Sequence, residues 1–451
     1  MTTRIAAGAL AACLLPAALA AQTVEPAAAR PAERLTLAGA IRLAVEHNVE
    51  LQSARLQVEK AEASLATART RRLPVFDATV SASQLLSPVE FAFPAGAFGT
   101  FPGTGPIPAT DTTVHMARQP ILYASTQVSQ PLTQLLRINL GVKSATVGRA
   151  LEQERVRAAR LSVTNAVKRL YYAVLQTHSA LAALEADLTF SRELVRTVEV
   201  RLTERVVLPG DAMDVKLRLA QQELTQTTTR HALASQKEQL NRLIGRDIAT
   251  EFDVEAMPGA SVLETDAAAA RVRAVEQRSD VRQARLALKQ AELDTRIAQA
   301  SRLPDVSLAV SYTANVNMDV VPTKLATAGV QVTWEPFDWG RKRREVTSKA
   351  HTVSQARLAV RDAEDKAAIE VNARLRAVAE SRGQLELASL AQAVAREKLR
   401  VKTNQFERQA ALLPDVLGLR AEVETTNDRY QQALLAFWMA KADFEHAVGE
   451  E

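Results

Sequence analysis

From about Arg137 to Arg205 the chain contains no proline, and apolar side chains return at alternating four- and three-residue steps. They are Val163, Val167, Leu170 and Val174, then Leu181, Leu184 and Leu188, with only Thr177 out of register. That spacing lays one narrow apolar stripe along a helix, the seam of a coiled coil. A helix of roughly 65 residues extends on the order of 100 Å at 1.5 Å per residue, far beyond ordinary globular helices. Leu208-Pro209-Gly210-Asp211 breaks it. A return helix is predicted from about Ala212 to Leu243, stopped by Gly245. The same plan recurs later: a long helix from about Lys342 to Gln409, a turn at Leu412–Pro414, and a last helix from about Val416 to His446.

Shorter elements precede each long helix. Helices are predicted near Leu37–Glu46 and Val49–Arg71, the latter ended by Pro74, which cannot donate the helix hydrogen bond. Val75–Leu85 partly alternates and reads as a strand. Residues 86–120 are rich in Pro, Gly, Phe and Thr and read as loop. Ile121–Gln130 is a second strand, ended at Pro131. Val306–Asn315 and Ala326–Glu335 form another strand pair around the short loop 316–325. Strands of about 10 residues are long enough to cross an outer membrane when tilted. Four of them cannot close a barrel, and lipid does not tolerate open sheet edges, so the pattern demands an oligomer.

The chain is a tandem repeat. Residues 54–81 and 284–311 align without a gap at an offset of 230, with eleven identities in 28 positions, among them Arg72-Leu73-Pro74 against Arg302-Leu303-Pro304. Upstream, Ala44-Val45-Glu46 stands opposite Ala274-Val275-Glu276. Val128–Leu132 resembles Val332–Phe337, and Leu243-Ile244-Gly245 parallels Ala447-Val448-Gly449. This divides the chain into residues 22–250, with a β-hairpin at 75–131 and a long helix hairpin at 137–245, and residues 251–451, with a β-hairpin at 305–336 and a helix hairpin at 341–448.

Residues 1–21 read as a secretory signal peptide: Arg4, an apolar run from Ile5 to Leu19, and the small-x-small site Ala18-Leu19-Ala20. A competing reading is a lipobox, Leu10-Ala11-Ala12-Cys13, which would anchor the N-terminus through a lipid. Cys13 is the only cysteine, which excludes a disulfide framework and thiol catalysis in the mature chain. No later stretch reaches the roughly 18–20 apolar residues of a membrane helix. Aromatics make up only 4% and the formal charge is +5, with basic and acidic residues interleaved; solvated helix faces account for that better than nucleic-acid binding. The six histidines are scattered and no zinc, phosphate-loop, dinucleotide or GxSxG motif occurs, so no catalytic site, metal or cofactor is expected.

The duplicated pattern resembles the TolC family of outer-membrane factors. The marks that carry the resemblance are the Leu-Pro helix–strand junctions at Pro74 and Pro304, the strand–helix junctions at Pro131 and Pro336, and Asp415-Val416-Leu417 opening the final helix, with Asp214-Val215 its weaker counterpart. The resemblance implies a mostly α fold with a small β part. Three copies would form a 12-strand β-barrel in the cell outer membrane on a 12-helix α-barrel crossing the periplasm. Function would be that of an exit duct for an efflux pump or type I secretion system. Partners would be a periplasmic adaptor (membrane-fusion) protein and an inner-membrane pump of RND or ABC type. The chain also departs from the family. The tips expected to dock an adaptor read Glu204-Arg205-Val206 and Glu407-Arg408-Gln409, without the family's glycine. Of the family's narrowing ring and latch, Asp415 fits one ring position, the other falls on Gly418, and the latch positions fall on Ala411 and Phe406.

Asp211, Asp214 and Asp415 flank the breaks between long helices. They either cap helices, satisfying free N–H groups, or also form rings at a gate. Tyr123, Tyr312, Trp334, Phe337 and Trp339 lie near strand ends and are candidates for an aromatic girdle. Two other readings remain open: a periplasmic adaptor, which should carry one hairpin between β-rich halves, and a structural envelope coiled coil, which should lack amphipathic strand pairs.

Overall fold

The computed structural model describes residues 33–205, 208–255, 266–318, 321–408, 410–411 and 413–450. The expected signal peptide and Cys13 lie outside the described residues. A short strand β1 (Glu33–Leu35) leads into helices α1 (Leu37–His47) and α2 (Val49–Thr70). Strand β2 (Val75–Gln84) follows, then β3 (Val89–Phe93), β4 (Thr100–Phe101), β5 (Gly105–Pro106), β6 (Thr112–Met116) and β7 (Pro120–Pro131). Next come α3 (Gln134–Thr203), α4 (Pro209–Ile244), β8 (Phe252–Val254), α5 (Ala267–Gln277) and α6 (Ser279–Ala300). Strands β9 (Asp305–Val316) and β10 (Lys324–Thr333) precede the last helices, α7 (Arg341–Glu407) and α8 (Leu413–Val448).

The expected long helices are present: α3 has 70 residues, about 105 Å at 1.5 Å rise. The predicted stripe is its inner seam, with Val163, Val167, Val174 and Leu188 buried. Segment 86–120 differs from the loop expected. It folds into two short antiparallel ladders, β3–β6 and β4–β5. Glycine and proline density hides them, since strands of two to five residues are too short for alternation to show.

The long helices form one layer. Near the strands, α3 packs on α2 and α6, and α7 packs on α6; at the far end α3 packs on α4 and α8, and α7 on α8. The shorter helices therefore meet end to end. Where α4 runs into α2, Gly245 terminates α4 at φ 74°, and the Asn48 side-chain amide donates to the Leu243 carbonyl over 2.9 Å while its oxygen caps α2 through Glu50 and Leu51. Where α8 runs into α6, Gly449 takes φ 86°, and Arg278 Nη1 donates to the Ala447 carbonyl over 3.1 Å and to Glu370 over 2.7 Å. Asn48 and Arg278 occupy equivalent repeat positions and make the same hold with different chemistry.

The core lies around these junctions. Tyr171, Tyr172, Phe437, Trp438 and Phe252 are buried there with Leu51, Leu240 and Ile244. The three-residue strands β1 and β8 pair in parallel, and the Tyr171 hydroxyl lies 2.9 Å from the Leu35 and Glu255 carbonyls, fastening that pair to α3.

A side chain at either terminating glycine must adopt the left-handed conformation, at about 1–2 kcal/mol. At Gly245 a Cβ would in addition stand 2.6 Å from His47, whereas at Gly449 the nearest atom is 3.4 Å away. G245A is therefore expected to lower the thermal unfolding midpoint in detergent, followed by circular dichroism, more than G449A; the reverse order would contradict the end-to-end packing.

Candidate functional site

The largest sheet has four strands in the order β10-β9-β7-β2, antiparallel throughout. Register assigns every side chain to a face, because directly paired residues project to the same side. One cross-sheet row reads Phe76–Val128–Val310–Ala328. The next row, on the opposite face, reads Asp77–Gln127–Ser311–Thr327. Then come Ala78–Thr126–Tyr312–Ala326 on the first face and Thr79–Ser125–Thr313–Leu325 on the second. The first face is apolar and yet uncovered, with Phe76 68% and Val330 63% exposed. The second is polar, and Ser311 and Thr327 hydrogen-bond across it at 2.7 Å. An exposed apolar face backed by a polar one is the pattern of a strand set with lipid outside and water inside. Both outer strands, β2 and β10, have one edge unpaired among the described residues.

The junctions turn the chain tightly between helix and strand. Pro74 and Pro304 stand between helix and strand in the two repeats; Pro131 ends β7, and Pro336 lies between β10 and α7. Thr133 Oγ1 donates to the Pro304 carbonyl and accepts from the Val306 amide, both at 2.8 Å, and Arg137 pairs with Asp305 at 3.3 Å. These contacts tie the start of α3 to the start of β9. Before α7, Trp339 and Gly340 both have positive φ, and the Asp338 carboxylate accepts from the Lys342 and Gly340 amides. Those amides, Lys342 foremost, hold the Asp338 carboxyl below its ordinary range.

The aromatic candidates separate by face. Tyr312 is on the apolar face, but Tyr123 pairs with Ser81 and Asn315 and stands on the polar one. Trp334, Phe337 and Trp339 lie past the end of β10, largely exposed, with the Phe337 and Trp339 rings 4.7 Å apart. Step parity along β7 was the available signal for Tyr123: it shares its parity with Ser125, Gln127 and Ser129.

At the far end, α3 gives way to α4 and α7 to α8. Glu204 caps the end of α3, and Arg205 takes φ 58°, the left-handed position that glycine usually fills after a helix. A non-glycine residue holds that conformation at a cost of about 1–3 kcal/mol. Val206 and Gln409 lie outside the described residues; Phe406 and Glu407 close α7, followed by Arg408. Capping by the aspartates differs from expectation. The N-cap of α4 is Leu208, with Pro209 at the first helical position, so Asp211 and Asp214 sit inside the helix, both exposed. Asp415 lies in the first turn of α8 and pairs with Lys402 of α7 at 3.2 Å. Asp211 and Asp415 lie in the first turns of their helices, where the dipole favours an acidic side chain, and Asp214 sits one turn further in.

No helix among the described residues is long and apolar enough to cross a membrane. A family model described as outer membrane efflux protein matches residues 40–246 and 270–450. No curated protein sequence matches the chain significantly. Solved structures with the same fold include the Campylobacter jejuni CmeC outer membrane channel, at 17% identity and TM-score 0.76 over 92% of this chain and 85% of that one. The Vibrio cholerae outer membrane protein VceC matches at 18% identity and TM-score 0.72, over 92% and 96%. The open-state Neisseria gonorrhoeae MtrE outer membrane channel matches at 18% identity and TM-score 0.70, over 92% and 89%. With an uncovered apolar sheet face at one end, helices about 100 Å long at the other, and a family match spanning both repeats, the chain belongs to the outer membrane efflux protein family.

Proposed function

We propose that three copies of this chain close into one continuous duct, a 12-strand barrel above a 12-helix tunnel, and that it is the passive exit of a tripartite efflux pump or type I secretion system. The observation that carries this reading is the four-stranded sheet with an apolar outer face and two unpaired edges. In hydrocarbon each unpaired backbone group costs several kcal/mol, so β2 of one copy must find β10 of the next. The strand directions allow it: β2 and β10 are the two ends of an alternating set of even number, so the ring stays antiparallel all round. The outer helices of the layer, α7 and α4, also carry exposed apolar residues: Leu358, Ile369 and Leu387 on α7, and Met213, Leu217 and Leu224 on α4.

Within that assembly the roles follow from position. Tyr312, Trp334, Phe337 and Trp339 form the interfacial girdle, and Tyr123 faces the lumen instead. Asp211, Asp214 and Asp415 form acidic rings that narrow the periplasmic entrance. Glu204, Arg205, Val206, Glu407, Arg408 and Gln409 form the tips that dock a periplasmic adaptor, itself bound to an inner-membrane pump of RND or ABC type. The lumen performs no chemistry. It holds a water-filled path open and selects by width and charge.

Purified protein in planar bilayers is expected to give discrete single-channel currents blocked by divalent cations from the periplasmic side. D415N should weaken that block about tenfold, equivalent to ~1.4 kcal/mol; an unchanged block would leave Asp415 as the partner of Lys402 alone. The sheet faces give a second test. V310R, on the apolar face, is expected to cost about 2–4 kcal/mol near the bilayer midplane and to abolish the heat-modifiable assembly on gels, while T313R, on the polar face, should assemble normally. Equal tolerance of both would contradict the assignment of faces.

A further inference from the structure

Between the aromatic core and the tips, two carboxyl groups meet at the seam where the helical hairpins touch. Glu424 of α8 and Asp187 of α3 line one small cavity at that seam. The cavity is also lined by Phe190 and Leu194 of α3 and Val215 and Leu219 of α4. Gln222 of α4 donates its side-chain amide to Asp187 Oδ2 over 2.7 Å, while its own Oε1 is buried without a partner. Three helices therefore converge on one pair of acids.

Two cations, Arg420 and Arg218, stand beside the two acids. Arg420, on α8 itself, lies with its Nε 3.8 Å from Glu424, beyond hydrogen-bond length, and its guanidinium stacks 3.9 Å over the Phe190 ring. Arg218 of α4 also lines the cavity. On α7, Lys398 bonds Glu422 at 3.0 Å and Arg396 bonds Asn427 at 3.2 Å, so both serve other residues of α8. Elsewhere on α3 and α4, Arg192 pairs with Glu223 and Arg230 with Glu185. Two neighbouring carboxylates repel, and a proton on one of them relieves that repulsion. Burial first, then Asp187, pushes the Glu424 carboxyl up to about 7, against the pull of Arg420 and Arg218.

We propose that Asp187 and Glu424 form a proton-binding site that latches α8 to α3 and α4, holding the tip half of the two hairpins together when protonated and loosening them when the proton leaves. Its consequence for conduction rests on the duct reading above; the latch itself does not. The sign follows from where the proton is bound. A separated Glu424 releases its proton near its ordinary 4.5, whereas the packed one keeps it up to about 7. The packed arrangement is thus at full strength below about 4.5, weakens as the pH rises to about 7, and stays weakened above.

Spin labels on T197C of α3 and G418C of α8, both exposed positions, report the seam when labelled chain is diluted into unlabelled chain in detergent. The expected result is a distance distribution that lengthens and broadens between pH 4.5 and 8. E424Q, neutral at every pH, should hold the low-pH distribution throughout, and D187N should flatten the response in the same way. A distribution that ignores pH, or a pH response retained in both E424Q and D187N, would overturn the latch. Should E424Q fail to assemble, D187N alone decides. Absence of single-channel current at any pH contradicts the duct reading and leaves the distance measurement standing; current with no pH-dependent distance change contradicts the latch alone.

Discussion

The backbone hydrogen bond is the constraint from which this molecule follows. In water an unpaired strand edge is solvated; in hydrocarbon it has no partner, and every exposed N–H or C=O costs several kcal/mol. This chain offers four strands, apolar on one face and polar on the other, with an unmatched edge on each side. A single copy cannot satisfy those edges in lipid. Copies of the same chain can, because the two free edges belong to strands running in opposite directions.

The helices obey the same logic by other means. A helix satisfies its own backbone, so the long helices are free to leave the membrane and run on the order of 100 Å. What they cannot do alone is bury an apolar stripe, and so they lie side by side. Shorter helices fill the layer by stacking end to end. Gly245 and Gly449 make that stacking possible, since each ends a helix in a left-handed turn and lets the next helix start against it. The duplicated chain solves this junction twice, with an asparagine in one repeat and an arginine in the other.

Much of this was legible in the sequence, for definite reasons. Leu73-Pro74 and Leu303-Pro304 mark helix–strand junctions because proline blocks both the helix and its predecessor's helical geometry. The four-three spacing from Val163 to Leu188 appears as a buried seam because an apolar stripe on a long helix must be covered by its neighbours. Other features were hidden. Ladders of two to five residues inside 86–120 carry too few positions to show alternation. The place of Asp211 and Asp214 after a break suggests capping, yet Leu208 occupies the cap of α4 because Pro209 starts the helix one turn earlier. Arg205 adopting a glycine's conformation has no sequence signal at all. The meeting of Asp187 with Glu424 depends on two helices from different repeats, and neither local spacing nor charge pattern brings them together.

Stoichiometry is the most direct test of the central claim that sister copies complete the sheet. Native mass spectrometry of the full chain extracted from outer membranes in mild detergent would count the copies per assembly. The account requires three, giving twelve strands from four per chain. A membrane-extracted species containing a single chain would contradict it, because the edges of β2 and β10 would then have no partner.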